Sequence, residues 1–422
     1  RVLLFGGSNT AGFPAGQLRF RMNGLDPVSP VEGHKLGVPG YGSGRVRILA
    51  RVALELLEAD LAFVYTGHNE FVEAGFQMDV AQIEERTALA RFAESTRLYA
   101  SFSDPKAPKP SPQTRPEAWT WEYEKFVGLT YDQTLEHFEL FRANVRAILE
   151  TARRTKTHAV IGTLVYNRLS APFSSTPPKG TPPETVARVN SLCAQAREKV
   201  PGELRVLLPL LEEDRVHGFD WGTEAKRATF DTLGLVGIRR CAPPLGTPDP
   251  DLPVPEGWKP KVRELDGALA KLWAREFDEA ERAGLVQAEA AWREALGLIE
   301  DHPIALFGLG LVELALGRDV VVAREHLEAA ARYDRAPRKA SGLVNEIVRS
   351  VAAEFPEVLF VDTDGWFREH APDGIVGWDL MIDHCHMTRG ARLALMVHVA
   401  EEVDARWPVS VLLAESRARG GE

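Results

Sequence analysis

One alternation constrains this chain more than any other feature. A short, continuously apolar run ends in a glycine-rich or polar loop, and text of helical periodicity follows. Val2-Leu3-Leu4-Phe5 stops at Gly6-Gly7-Ser8-Asn9-Thr10, and Leu61-Ala62-Phe63-Val64-Tyr65 stops at Thr66-Gly67-His68-Asn69-Glu70. Between them Val46, Leu49, Val52, Ala53, Leu56 and Leu57 recur at three- and four-residue steps, which gathers them on one helix face. A third run, His158 to Tyr166, follows a helix built on Leu140, Phe141, Val145, Ile148 and Leu149, and a fourth, Val358 to Asp362, follows one around Ile347 and Val348. Strands without a polar side must be covered on both faces. The pattern therefore predicts an α/β fold with a parallel sheet between two helical layers.

Two kinds of text interrupt the alternation. Residues 103 to 118 carry Pro105, Pro108, Pro110, Pro112 and Pro116 and read as an irregular loop leading into Trp119, Trp121, Tyr123 and Phe126. Those aromatics read either as a lid or carbohydrate platform or as packing, and packing is the commoner role beside such a loop. Residues 171 to 183 and 242 to 260 are proline-rich as well. From 266 to 340 proline nearly vanishes and the text is alanine-rich and helical. Ala295 and Ala330 lie 35 residues apart, near the roughly 34-residue period of a tetratricopeptide repeat. Small residues there let two helices approach closely, with Leu309 and Leu327 filling beside them. A repeat-like unit and an amphipathic insertion that only packs on its host both fit this text. We read 1–265 and 341–410 as one discontinuous α/β domain, 266–340 as a helical insertion and 411–422 as a polar tail.

Charge and cysteine content exclude several functions. With 60 acidic against 50 basic side chains the net charge is −10, which argues against a nucleic-acid partner, because neutralising phosphates needs a basic surface. Cys193, Cys241 and Cys385 are too scattered for a disulfide framework or a cysteine-rich zinc site. No run approaches the roughly 18 apolar residues of a membrane span. The chain opens on Arg1, already inside an apolar run, so an upstream segment is expected, a cell-envelope anchor being one form of it. Localisation stays open.

Four loops carry groups suited to chemistry. Ser8 sits in a glycine-flanked turn after the first strand, where a nucleophile is exposed and backbone N–H groups face developing charge. Gly37-Val38-Pro39-Gly40-Tyr41-Gly42-Ser43-Gly44 precedes a helix and lets backbone approach a ligand. It lacks the Gly-Lys-Ser/Thr of a phosphate loop and the spaced glycines of a dinucleotide fingerprint. Asn69 places a neutral amide beyond another strand end, and Asn167 does so after the third strand as a weaker candidate for substrate contact. In Asp383-His384-Cys385-His386 an aspartate three residues before a histidine can accept its Nδ1–H and leave Nε2 as a base. The last cluster follows no common zinc spacing, so no metal is assigned to it.

In this order, these blocks resemble the SGNH or GDSL-type serine hydrolases, in the bacterial branch fused to tetratricopeptide repeats. Leu3 to Thr10 is similar to the nucleophile block, Gly37 to Tyr41 to the glycine block, Tyr65 to Phe71 to the asparagine block and Asp383 to His386 to the last. Gly7 and Glu70 stand where the family commonly has aspartate. The resemblance implies a flavodoxin-like sheet, Ser8 as nucleophile, His386 as general base, Asp383 as its orienter, and an oxyanion hole from the Ser8 N–H, the Gly40 N–H and the Asn69 amide. It implies an esterase or deacylase acting on a small-molecule or glycan ester without a cofactor. His68, Glu70, Asn167 and His384 are further candidates for substrate contact. Two alternatives stay open: an O-acyltransferase using the same acyl-enzyme, and a scaffold protein that binds a protein partner through the repeat-like helices.

Overall fold

The computed structural model describes residues 1–14, 31–73, 129–208, 259–335, 337–408, 410–412 and 414. The 103–118 loop, the aromatic cluster after it, residues 242–258 and nearly all of the polar tail lie outside the described residues.

Strand β1 (Val2–Gly6) leads into a single turn of helix, α1 (Ser8–Ala11). Then come β2 (Gly33–Gly37), α2 (Ser43–Leu56), β3 (Leu61–Tyr65), α3 (Glu70–Glu73), α4 (Tyr131–Arg154) and β4 (His158–Gly162). The chain continues through α5 (Pro183–Lys199), α6 (Lys259–Ala274), α7 (Glu279–Leu298), α8 (Pro303–Leu316) and α9 (Val320–Arg332). It closes with α10 (Gly342–Ala353), β5 (Leu359–Val361), α11 (Thr363–His370) and α12 (Arg389–Arg406). The five strands are parallel in the order β2-β1-β3-β4-β5. The expected mixed α/β fold with a parallel sheet is therefore present. Between β1 and β3 the strand order reverses, and such a switch point opens a crevice beyond the carboxyl ends of the strands.

β1 and β3 are buried at every residue, which is why they read as unbroken apolar runs. β2, Gly-His-Lys-Leu-Gly, is an edge strand with His34 and Lys35 exposed, and its charge hides it from a search for apolar runs. The run expected as a strand from His158 to Tyr166 leaves the ladder after Gly162. There Asn345 of α10 accepts from the Leu164 N–H at 2.7 Å and donates to its carbonyl at 3.0 Å, while the Tyr65 hydroxyl accepts from the Val165 N–H at 2.9 Å. Side chains thus satisfy backbone groups that a neighbouring strand would otherwise pair.

Among the described residues two apolar cores form. One surrounds the sheet; the other joins α5 to α9 and takes in Leu169, Ile375 and Trp378. The helical layer therefore begins earlier than the change in composition at 266 suggests, because Val189, Leu192, Cys193 and Ala196 of α5 belong to it. α8 is buried from Pro303 to Ala315. A Cβ at Gly308 would lie 2.4 Å from the Trp292 ring of α7, and one at Gly310 would lie 2.8 Å from the Ala323 carbonyl of α9. These two small residues let α8 fit between its neighbours. No helix among the described residues is long and apolar enough to cross a membrane.

Arg168 ties the two cores together. Its guanidinium lies 4.2 Å over the Tyr166 ring, forks onto Asp364 of α11 at 3.1 and 2.8 Å, and donates to Glu328 of α9 at 3.1 Å. Arg168 and Asp364 side chains are 2% and 4% exposed, so removing one strands the other's charge away from water. Arg168→Ala should lower the unfolding free energy by about 3–5 kcal/mol. Denaturant titration measures this, and a loss below about 1 kcal/mol would contradict the role.

Candidate active site

The catalytic candidates converge at the switch point. β1 ends at Gly6 and delivers Ser8 as the first residue of α1. A Cβ at Gly7 would stand 2.5 Å from the Asn69 amide nitrogen and 3.0 Å from the Tyr41 carbonyl. Glycine at this position is what lets the loops after β1, β2 and β3 meet.

The Asp383–His386 turn places His386 against Ser8. One Asp383 oxygen accepts from the backbone N–H groups of Cys385 and His386, at 2.8 and 2.7 Å. The other accepts a hydrogen bond from His386 Nδ1–H at 2.6 Å. That leaves Nε2 as an acceptor, and the Ser8 hydroxyl donates to it at 2.5 Å across 378 residues of sequence. Burial alone would raise the Asp383 pKa, but His384 and the hydrogen bonds of His386 outweigh it and hold the carboxyl well below its usual range. Asp383 therefore stays ionised, fixing the tautomer of His386.

Two asparagines clamp this turn. Asn9, which the sequence did not single out, donates to the Cys385 carbonyl at 2.7 Å and accepts from the Met387 N–H at 3.2 Å. Asn167 donates its amide to the Asp383 carbonyl at 3.0 Å and its backbone N–H to the His384 carbonyl at 3.1 Å. Its side-chain oxygen accepts from the Leu169 N–H, and the residue is fully buried. Asn167 thus positions the histidine turn, in place of the substrate contact expected from its strand-end location. Glu70 departs from expectation in the same way. Its carboxylate accepts from the N–H and hydroxyl of Ser43, at 2.9 and 2.6 Å, and clamps the β3 loop onto the start of α2.

The three donor groups expected around Ser8 each keep an N–H that meets no carbonyl partner among the described residues. The Ser8 N–H, at the start of a helix, has no intrahelical acceptor. Gly40 adopts φ +79°, a conformation side chains rarely take, and its N–H meets no carbonyl among the described residues. Asn69 Nδ2 donates one hydrogen to the Tyr41 carbonyl at 3.1 Å and retains a second.

The two other histidines are neutral. His68 is buried, and desolvation with the charge of His386 pulls its pKa to about 3. Its Nδ1 accepts from the Ala340 N–H at 3.1 Å, so Nε2 carries the proton, and Nε2 meets no partner among the described residues. His384 sits edge-on to Phe173, with ring centroids 5.2 Å apart, and burial lowers its pKa to about 4. Its ring centroid is 6.4 Å from that of His386, beside the base.

Asp383, Cys385 and His386 also bring three potential ligand atoms within 4.8 Å of one another. The carboxylate and Nδ1 are already committed to each other, and burial raises the Cys385 thiol far above its usual pKa, keeping it protonated. Comparisons with protein-family models, curated proteins and solved structures find no match for this chain, so its geometry carries the functional reading.

The depressed histidines make stability depend on pH. Both folded pKa values, about 3 and about 4, lie below the value near 6.5 of a free histidine, so the unfolded chain binds more protons in that interval. Stability should fall as pH drops below about 6.5, by up to about 1.4 kcal/mol per pH unit for each ring. Urea unfolding between pH 7 and 5 should show a shallower slope in His68→Gln and His384→Gln. An unchanged slope in both would contradict the assignment.

Proposed function

We propose that this chain is a serine esterase or deacylase of the SGNH type, acting on a small-molecule or glycan ester. The observation that carries this reading is the continuous relay from Ser8 through His386 to Asp383, with the Asn69 amide packed against Gly7 next to Ser8. The strand order, which is flavodoxin-like, and the position of the relay at its switch point support it. The two departures from the family pattern also have physical reasons. Gly7 faces the Asn69 amide too closely for an aspartate side chain, and Glu70 reaches Ser43.

In the first half of the reaction, Ser8 Oγ attacks the ester carbonyl while its proton passes to His386 Nε2. Asp383 stabilises the resulting imidazolium, and the carbonyl oxygen, now an anion, faces the Ser8 and Gly40 N–H groups and the Asn69 amide. Collapse breaks the ester C–O bond, and the alcohol leaves with the proton from His386. Water then attacks the acyl-enzyme by the same route, giving the carboxylic acid and free Ser8.

Short-chain p-nitrophenyl esters test this. Ser8→Ala should reduce turnover to background, Asn69→Ala should lower kcat by about 10²–10³-fold, and Asp383→Asn by about 10⁴-fold, since the wrong tautomer then faces Ser8. Wild-type turnover in Ser8→Ala would refute the reading.

A further inference from the structure

Lys339 is a buried cation that this reaction does not use. It lies between α9 and α10, is 2% exposed, and donates its ammonium to the carbonyls of Asn167 at 2.9 Å and Ser170 at 2.5 Å. Burial pulls its pKa down to about 7, with Asp334 opposing the shift. Desolvating a lysine is costly, so packing alone does not account for an amine at this position.

The partners of Lys339 give its role. Asn167 offers its carbonyl to Lys339, its backbone N–H to the His384 carbonyl, and its side-chain amide to the Asp383 carbonyl. The N–H and side chain of Asn167 therefore grip the catalytic turn, while Lys339 holds the carbonyl of the same residue. The adjoining residues brace the same region: Asp334 accepts from the N–H groups of Phe173 and Ser174 at 2.7 and 2.9 Å, and Ala340 donates to His68 beside Asn69. The segment leaving the helical layer thus touches both the histidine turn's support and the oxyanion loop.

We propose that Lys339 is a positioning residue for the catalytic histidine, acting through Asn167 to hold the Asp383–His386 turn where Nε2 meets Ser8. The proposal rests on the ester-hydrolase reading. Without the ammonium, the Ser170 carbonyl loses this donor and the Asn167 carbonyl keeps only the long contact from the Ser170 N–H, at 3.4 Å, so Asn167 can shift and His386 drifts from Ser8 while Ser8 and Asn69 stay in place.

The test is a double-mutant cycle on p-nitrophenyl acetate hydrolysis, with thermal unfolding read in parallel. Lys339→Met keeps the length and apolar stem but removes every donor, and Asn167→Ala removes the amide link to Asp383. Each should lower kcat by about 10–100-fold, the scale of an ångström-level misplacement, with KM within about twofold. The double variant should be no slower than the slower single variant, because both cut one link. Should Lys339→Met fail to fold, Asn167→Ala with Lys339 intact must still show the kcat loss at unchanged KM. Wild-type kcat in a folded Lys339→Met, or losses that multiply in the double variant, would overturn the proposal. A wild type without Ser8-dependent turnover removes the hydrolase reading and this proposal together, whereas an active wild type matched by Lys339→Met removes this proposal alone.

Discussion

The site depends on one carboxylate. Asp383 is a largely buried charge that accepts two backbone N–H groups from its own turn and the Nδ1–H of His386. Those bonds offset its desolvation, set the conformation of residues 383–386, and decide which nitrogen of His386 faces Ser8. The turn cannot hold its place by itself, since its remaining backbone groups need partners. Asn9 from α1 and Asn167 from the segment after β4 supply them, so His386 is fixed relative to strands on both sides of the switch point.

The same physics ties the helical layer to the candidate site. Arg168, at the segment that carries Asn167, is paired into both α9 and α11, and Lys339 lies in the segment that joins α9 to α10. Docking of the helices and alignment of His386 therefore share residues. The second core reaches this segment through Leu169, two residues after Asn167.

What the sequence reveals follows from what its residues bury. β1 and β3 are legible because both faces are covered, whereas β2 is an edge strand of Gly, His, Lys and Leu and leaves no apolar run. The alanine-rich helices stand out, but α5 does not, since its ordinary composition gives no sign that Val189 and Leu192 join the second core. Ser8, Asp383 and His386 are legible because a glycine turn and an Asp-to-His spacing carry local chemistry. Glu70 and Asn167 show how far strand-end position reaches: it places a polar group near the crevice, but not which way it points. Asn9 and Lys339 are illegible, because their roles lie in hydrogen bonds to residues 376 and 172 positions away.

The most direct measurement of the central claim, that Ser8 is an activated nucleophile driven by His386, is covalent trapping followed by peptide mapping. A fluorophosphonate should lose fluoride and leave a single phosphonyl group on the peptide containing Ser8, and His386→Gln should abolish that adduct in a protein that still unfolds cooperatively. Adduct formation on another residue, or labelling of Ser8 at an undiminished rate in His386→Gln, would contradict it.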